Sequence, residues 1–307
     1  MTEFWDKAGE MVGGLAAKWA GYAAVGTFLL YLFGYLALRF QLSVYGIATS
    51  IDAFDEKYLF AGCRFLVYLV STIPSLLIVA LILIAIGYLP YRLIPAGFRG
   101  RVKTRIGEWC ADPIRVAVVG ILFAVLFIQL VQRKCFAFVN NILLTKSLPD
   151  IWITNVLMSG EGRLALYFSA LVAGTLITGA ILLYALRQES APTGLSRSSI
   201  WLLGFLFAVE VLFLPVNYGV LISTQSLPRV AEVSADKAPL AGSMSWLLWD
   251  GKDALTYLVR DPGDQRMLLT VPAKDARIRI VAYDNILCVL FCGGTQDETH
   301  SSPEATK

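Results

Sequence analysis

Long uninterrupted apolar stretches set the pattern of hydrophobic and polar positions along this chain. Four stretches contain no Asp, Glu, Lys or Arg and reach the roughly 17 to 25 residues that a helix needs to cross a bilayer. A fifth stretch is equally apolar except for Glu210. Because each charge at the bilayer centre costs about 2.5 to 3.5 kcal/mol, charge-free stretches mark the spans. The pattern predicts five transmembrane helices, at about 19–38, 65–91, 116–132, 164–186 and 200–222.

The pattern changes after residue 222, where short apolar runs alternate with turn residues. Five such runs predict strands, at 245–249, 254–259, 266–271, 276–283 and 286–291. Asp250-Gly251 between two of them is a strong hairpin signal, and residues 277–280 alternate Arg and Ile as a half-buried strand does. Five strands over 223–294 predict a small all-β domain, either a barrel or a sandwich.

Together these patterns predict the fold class: a membrane all-α bundle of about five transmembrane helices with a small C-terminal all-β domain, a five-stranded barrel or sandwich. Residues 1–18 form a charged, amphipathic N-terminal segment ahead of the transmembrane domain at 19–222. We interpret this segment as retained, because the first apolar run is too long for a signal peptide. The polar tail at 295–307 is expected to be disordered.

Prolines shape two other parts of the chain. Pro74 lies inside the second span, removes one backbone hydrogen bond and predicts a kink near Val70. The connection at 133–163 is partly apolar and is divided by Pro149 and Asp150. It predicts two short helices at the membrane interface, with a re-entrant hairpin as the alternative.

Composition supports a bilayer as the solvent and narrows the expected partners. Of 307 residues, 57% are hydrophobic and 16% are charged, against roughly 25% charged in soluble proteins. The net charge of +3 is spread over loops and forms no basic stripe with aromatic residues, so nucleic acid is not expected as a partner. The expected partners are the lipid bilayer and either another membrane protein or a second copy of the chain.

The sequence contains no familiar catalytic or metal-binding motif. Its five cysteines are irregularly spaced without a CxxC pair, and its one histidine, His300, lies in the polar tail. The GxSxG, HExxH, Walker lysine and dinucleotide-binding glycine patterns are absent. We therefore expect no enzyme activity, no metal and no cofactor.

Basic residues between the second and third spans indicate the orientation. This connection carries six of them: Arg92, Arg99, Arg101, Lys103, Arg105 and Arg115. Because basic loops stay in the cytoplasm, we expect a cytoplasmic N-terminus and, after five spans, a C-terminal domain outside. The expected location is a cell membrane, the bacterial inner (plasma) membrane. The candidates for contact with anionic lipid headgroups are Arg99, Arg101, Lys103 and Arg105, although setting the topology would alone explain them.

Glu210 carries more functional information than any other residue. An acidic side chain inside a span faces the bundle interior, pairs with a partner or stays protonated. Pro215 predicts a helix disruption just beyond it, and Asn217 adds a second polar group two turns further on. Arg64 is a candidate counter-ion if the second helix starts near Phe54; otherwise its side chain extends to the membrane surface.

Three roles are open for Glu210. One is a proton or ion translocation site, and another is a contact with a second membrane subunit. The third is an interhelical hydrogen bond that fixes packing, with a partner among Gln129, Tyr167, Thr175 and Thr178.

Two functions follow from these features. The first is a non-catalytic accessory, scaffold or sensory subunit whose helical bundle presents the small β domain to a partner. The alternative is a small channel or transporter that uses the intramembrane carboxylate of Glu210, with Pro215 and Asn217 shaping the site.

Overall fold

Helices account for most of the chain. The computed structural model describes residues 2–47, 56–93, 95–139, 152, 155, 161–187, 194–223, 226–231, 243–261, 263, 265–275, 278–286 and 289. The α-helices of this part are α1 Thr2–Val44, α2 Glu56–Leu93, α3 Ala96–Cys110, α4 Pro113–Leu130, α5 Glu161–Arg187 and α6 Gly194–Asn217. Short helices of other types are the 3-10 helices Gln132–Phe138 and Ala273–Asp275 and the π-helical turn Tyr218–Ile222.

The chain divides into two compact units. The helical unit comprises Met1–Phe40, Thr49–Lys134 and Ala165–Gly219. The sheet unit comprises Gln41–Ala48, Cys135–Leu164 and Val220–Lys307.

Five helices are long and apolar enough to cross a membrane, as the sequence predicts. Their qualifying segments are Trp19–Val44, Glu56–Ile86, Pro113–Phe138, Gly162–Arg187 and Arg197–Ile222. Large apolar side chains point away from the protein along these helices; Val67 is 70% exposed and Trp201 is 71% exposed. A continuous apolar surface of this kind is unfavourable in water but suits the hydrocarbon of a bilayer. By the length and composition of its helices, the chain is a membrane protein.

Two glycines allow α1 and α2 to cross in direct backbone contact. A Cβ atom on Gly34 would overlap the carbonyl oxygen of Tyr58, and a Cβ atom on Gly62 would overlap the carbonyl oxygen of Leu30. Gly26, also on α1, has open space around it. Small residues at a helix crossing permit the close packing on which association in a bilayer depends.

Helices α4, α5 and α6 pack more completely against one another. A Cβ atom on Gly120 of α4 would lie 2.8 Å from Cγ2 of Ile181 in α5. A Cβ atom on Gly174 of α5 would overlap the ring of Phe127 in α4. The most apolar segments of these three helices are 33 to 39% buried, whereas that of α2 is 6% buried. Much of α2 is therefore left for lipid or a partner.

The basic connection between the second and fourth helices is itself helical. It forms α3, whereas the connection between the second and third spans was predicted as a loop. Asp112 then caps α4, because its side chain accepts a hydrogen bond from the Ile114 amide at 3.0 Å. Pro113 occupies the first position of α4, where its missing N–H costs nothing.

Helix α2 continues through Pro74 without a break in its helical assignment. The hydroxyls of Ser71 and Thr72, one turn earlier, both donate to the carbonyl oxygen of Tyr68, at 2.7 and 2.8 Å. Neither bond replaces the one that Pro74 removes, because its acceptor would be the Val70 carbonyl oxygen. The kink near Val70 stays a prediction.

Most of the connection predicted to hold two interfacial helices lies outside the described residues. Its first part is the 3-10 helix Gln132–Phe138, and Trp152 and Asn155 are helical. The tail at 295–307 and the C-terminal cysteines Cys288 and Cys292 also lie outside the described residues.

The sheet unit contains one open antiparallel sheet of five strands. The strands are β1 Ser226–Val230, β2 Met244–Asp250, β3 Ala254–Arg260, β4 Arg266–Pro272 and β5 Ile280–Asn285. Their order is β4-β3-β2-β1-β5, so β4 and β5 lie at the two edges. The prediction of five strands is confirmed, but the sheet does not close into a barrel, and the described residues form no second layer of strands.

One observed strand was not predicted, and one predicted strand is wrong. β1 was not predicted, since the predicted strands begin at residue 245; its Pro228, a residue type unusual inside a sheet, pairs with Tyr283 of β5. The strand predicted at 286–291 is not formed at Ile286 and Val289, which are helical, and its other residues lie outside the described part. With β1 added and this strand removed, the number of strands stays at five.

The hairpin predicted at Asp250-Gly251 is confirmed. Strands β2 and β3 flank it in antiparallel register, and the Gly251 amide donates to the Ala254 carbonyl oxygen at 3.1 Å. Strand β3 lies between β4 and β2 and is buried on both faces, and Tyr257 is fully buried in an apolar cluster of the sheet. Trp246 is also buried, and its indole N–H donates to Asp284 Oδ2 at 2.7 Å.

Strand β5 departs from the half-buried pattern predicted for 277–280. Ile278 and Ile280 are 46% and 45% exposed instead of buried on one face. Val281 and Tyr283 are more exposed still, at 56% and 69%. The alternation of Arg and Ile indicates extended backbone here but not a covered face.

Candidate functional site

A cluster of buried polar side chains lies inside the helical unit, around Glu210. Its members are 0 to 4% exposed and come from the start of the 3-10 helix that follows α4, from α5 and from α6: Gln132, Thr175, Thr178, Glu210 and Asn217. We call this set the polar cluster. In a membrane protein such groups are costly unless they bond to one another.

The Glu210 carboxyl has one described hydrogen-bond partner. Thr178 Oγ1 donates to Oε1 at 3.0 Å, whereas Oε2 is buried and has no hydrogen-bond partner among the described residues. Thr178 Oγ1 also lies 3.3 Å from the Gly174 carbonyl oxygen one turn earlier in α5. Of the partners expected for an interhelical hydrogen bond, Thr178 is the one that contacts the carboxyl.

Gln132 ties the three helices together. Its Nε2 donates to Thr175 Oγ1 at 3.4 Å and to the backbone carbonyl oxygen of Glu210 at 3.3 Å. The backbone carbonyl oxygen of Gln132 accepts from Asn217 Nδ2 at 3.4 Å. Gln132 was predicted only as the last residue of a span, and its contacts with α5 and α6 were not predicted, because only the fold brings these helices together.

Pro215 and Asn217 lie where α6 changes geometry. The helix continues through Pro215 to Asn217, and the π-helical turn begins at Tyr218. Asn217 Nδ2 donates to the Phe213 carbonyl oxygen at 2.9 Å, which gives a partner to a carbonyl beside the proline. The disruption predicted just beyond Glu210 therefore lies two turns after it, and π-helical turns are frequent at functional sites.

The structure does not bring Arg64 and Glu210 together. Arg64 is exposed, Glu210 is fully buried, and the described residues contain no ion pair between them. The basic residues Arg101, Lys103 and Arg105 are exposed on α3, and the side chain of Arg99 lies outside what is described. Their contact with lipid stays a prediction.

An aromatic group beside the polar cluster was not predicted. The ring of Tyr218 lies 5.5 Å from that of Phe65, 5.3 Å from that of Tyr68 and 6.3 Å from that of Phe168. These rings come from α2, α5 and the π-helical turn. Phe65 and Tyr68 are three residues apart on α2, but that spacing is common in membrane helices and does not identify their partner.

The described residues contain no group of three or more His, Cys, Asp or Glu side chains placed to hold a metal ion. Neither a family model, nor a curated protein, nor a solved structure shows significant similarity to this chain.

Proposed function

We propose that this chain is a non-catalytic membrane protein whose helices anchor the C-terminal sheet and whose sheet binds a partner protein through β5. The observation that carries the proposal is the exposed, apolar edge formed by this strand. On one side β5 pairs with β1, and on the other side it has no described strand.

An exposed apolar edge strand is unusual in a folded protein. Such edges invite pairing with other chains, and proteins usually protect them with charges, prolines or a covering segment. The side chains of Val281 and Tyr283 are 56% and 69% exposed on one face, and Ile280 is 45% exposed on the other. The edge thus combines a side on which no described strand pairs with apolar surface on both faces.

The partner that fits this edge is an extended segment of another protein. Such a segment adds to the sheet as a sixth strand, with backbone hydrogen bonds supplying affinity and alternate side chains supplying selectivity. Its side chains next to Val281 and Tyr283 are expected to be apolar. This is the role of an accessory or sensory subunit that holds a binding module at the membrane.

Photo-crosslinking from Tyr283 in the native membrane tests the proposal. With p-benzoylphenylalanine at this position, we expect one discrete adduct that mass spectrometry identifies as a second protein. Val281→Lys should reduce its yield by about tenfold or more, because a valine loses about 1.5 to 3 kcal/mol of burial. Met267→Lys is the matched control, since Met267 is 43% exposed on the opposite edge strand.

Three results would contradict the proposal. One is the absence of any adduct together with a monomeric purified chain. Another is an adduct that Val281→Lys leaves unchanged. The third is an adduct formed by two copies of this chain, which would make β5 a self-association edge.

A second candidate function is supported by the unpartnered oxygen of Glu210. A buried carboxyl with one hydroxyl donor has room for a proton or for a cation that enters the bundle. This candidate is a channel or transporter in which Glu210 carries the charge and Asn217 and Pro215 shape its surroundings. In liposomes it predicts cation- or proton-dependent flux that Glu210→Gln abolishes and that Glu56→Gln, at the exposed start of α2, preserves. Absence of flux in the wild-type protein would exclude this function.

A further inference from the structure

A groove on the outer surface of the helical unit combines apolar walls with one positive charge. It encloses about 430 Å³ and is lined by Phe60, Cys63, Arg64, Val67, Tyr68, Ser71 and Tyr218. We propose that this groove binds an anionic phospholipid, with the lipid phosphate at Arg64 and an acyl chain along the apolar wall.

The groove is built from one face of α2 and from the π-helical turn. Its α2 residues recur every three or four positions from Phe60 to Ser71, so they form one continuous stripe. Tyr218 forms the opposite wall, and its ring packs against those of Phe65 and Tyr68. Because these ring contacts fix the wall, the groove is present before a ligand enters.

Among the described residues, the charge in the groove has no acidic partner. Arg64 forms no hydrogen bond or ion pair with any described residue and lies eight residues, about 12 Å, into α2. Glu56, the acid nearest in sequence, lies two turns earlier at the start of the helix. An arginine at this depth extends toward the headgroup layer, where the available counter-charge is a lipid phosphate.

The walls identify lipid as the occupant in preference to a free anion. Val67 is 70% exposed and Phe60 is 65% exposed, and both lie on a helix apolar enough to cross the bilayer. An acyl chain covers such side chains, whereas inorganic phosphate does not. The volume falls in the range of small-ligand sites, about 300 to 1,000 Å³, which suits a headgroup and the first part of a chain.

Cys63 offers a direct readout, because its thiol is exposed in the groove and a bound lipid would cover it. The full chain is placed in nanodiscs of phosphatidylcholine, with or without phosphatidylglycerol, and reacted with an uncharged maleimide. The rate at Cys63 is taken as the difference between the wild-type protein and Cys63→Ser. We expect the reaction to be about fivefold slower with phosphatidylglycerol, which corresponds to about 1 kcal/mol for one basic residue at the surface.

Charge variants separate the groove from the general effect of an anionic surface. Arg64→Gln should abolish the slowing, whereas Arg64→Lys should keep most of it. Arg187→Gln is the matched control, since it removes an exposed arginine at the end of α5 and should leave the slowing intact. Native mass spectrometry of the same samples should show a retained phosphatidylglycerol in the wild-type protein and its loss in Arg64→Gln.

In the wild-type protein, equal rates of Cys63 alkylation with and without phosphatidylglycerol would overturn the proposal. Slowing that survives in Arg64→Gln would also overturn it. If inorganic phosphate slowed the reaction to the same extent in phosphatidylcholine discs, the ligand would be a free anion and the lipid proposal would be wrong. These outcomes concern α2 and are independent of the proposal for β5.

Discussion

At the scale of single residues, the Glu210 carboxyl illustrates how the helical unit accommodates polar groups in hydrocarbon. It is fully buried and receives one hydrogen bond, from Thr178. Gln132 meanwhile binds the Glu210 backbone instead of its side chain. Intramembrane hydrogen bonds of this kind contribute modestly to the free energy of unfolding, because the same polar groups also find hydrogen-bond partners when the chain is unfolded in the membrane. The contact with Thr178 is thus expected to fix helix packing without dominating stability.

A double-mutant cycle between Thr178 and Glu210 measures this contact. With Thr178→Val and Glu210→Met, we expect a coupling energy of about 0.6 kcal/mol and no more than about 1.7 kcal/mol. Reversible unfolding in mixed micelles supplies the four free energies. The control cycle pairs Thr178→Val with Asn217→Leu, because these two side chains share no hydrogen bond in the structure. A Thr178–Glu210 coupling no larger than the control value would contradict the assignment.

Tyr257 supplies a second prediction at this scale, in the sheet. Its hydroxyl is buried and has no hydrogen-bond partner in the described part of the chain, and burial raises the pKa of the phenol, with a further contribution from the charge of Asp250. An unfolded tyrosine loses its proton near pH 10, so the folded sheet loses stability as the pH rises from there through the higher folded pKa.

Tyr257→Phe should remove this loss and leave stability at neutral pH unchanged or higher by up to about 1 kcal/mol. Hydrogen exchange of the β3 amides, measured with the chain in nanodiscs, reports the difference. Faster exchange in Tyr257→Phe at neutral pH would show that the hydroxyl has a stabilising partner.

At the scale of elements, the long helices could be predicted from the sequence and the sheet only in part. Twenty or more apolar residues without charge identify a span whatever it packs against. Strands depend on their neighbours instead. Pro228 argues against a strand at β1, and the alternation in 277–280 suggests a buried face that the sheet does not have. In both cases the pairing of β1 with β5 decides whether the strand forms and where it lies in the sheet. The local sequence does not specify this pairing.

The crossing of α1 and α2 could not be predicted, since glycines are frequent in membrane helices and most need no explanation. Gly34→Ala and Gly62→Ala should each destabilise the helical unit by about 1 to 3 kcal/mol, because the added methyl group meets a backbone carbonyl that cannot move away. Gly26→Ala should be neutral or stabilise by up to about 1 kcal/mol. Thermal unfolding in detergent should therefore give lower midpoints for the first two variants than for the third. Equal midpoints for Gly34→Ala and Gly26→Ala would show that the close crossing is absent.

At the scale of the whole molecule, the described residues form five helices long enough to span a membrane, and a sheet with an open edge follows them. The candidate site was predictable to a limited extent. Glu210 stands out as the one acid in an apolar span, and Thr178 was among its expected partners. The roles of Gln132 and Tyr218 come from contacts between helices distant in sequence, which no local pattern specifies.

Five membrane-crossing helices, an odd number, would place the start of α1 and the C-terminal sheet on opposite sides of the membrane. The basic residues of α3 predict that the N-terminus is cytoplasmic and that the sheet is outside. This orientation decides which partners β5 can meet.

Paired reporter fusions test most directly the central claim that five helices cross the membrane. One reporter is active only in the cytoplasm, and the other is active only outside. Each reporter is fused to the N-terminus in one fusion protein and after residue 295 in another. The account predicts cytoplasmic activity at the N-terminus and outside activity at the C-terminus. Activity of both termini on the same side would show an even number of spans and contradict the five-helix architecture.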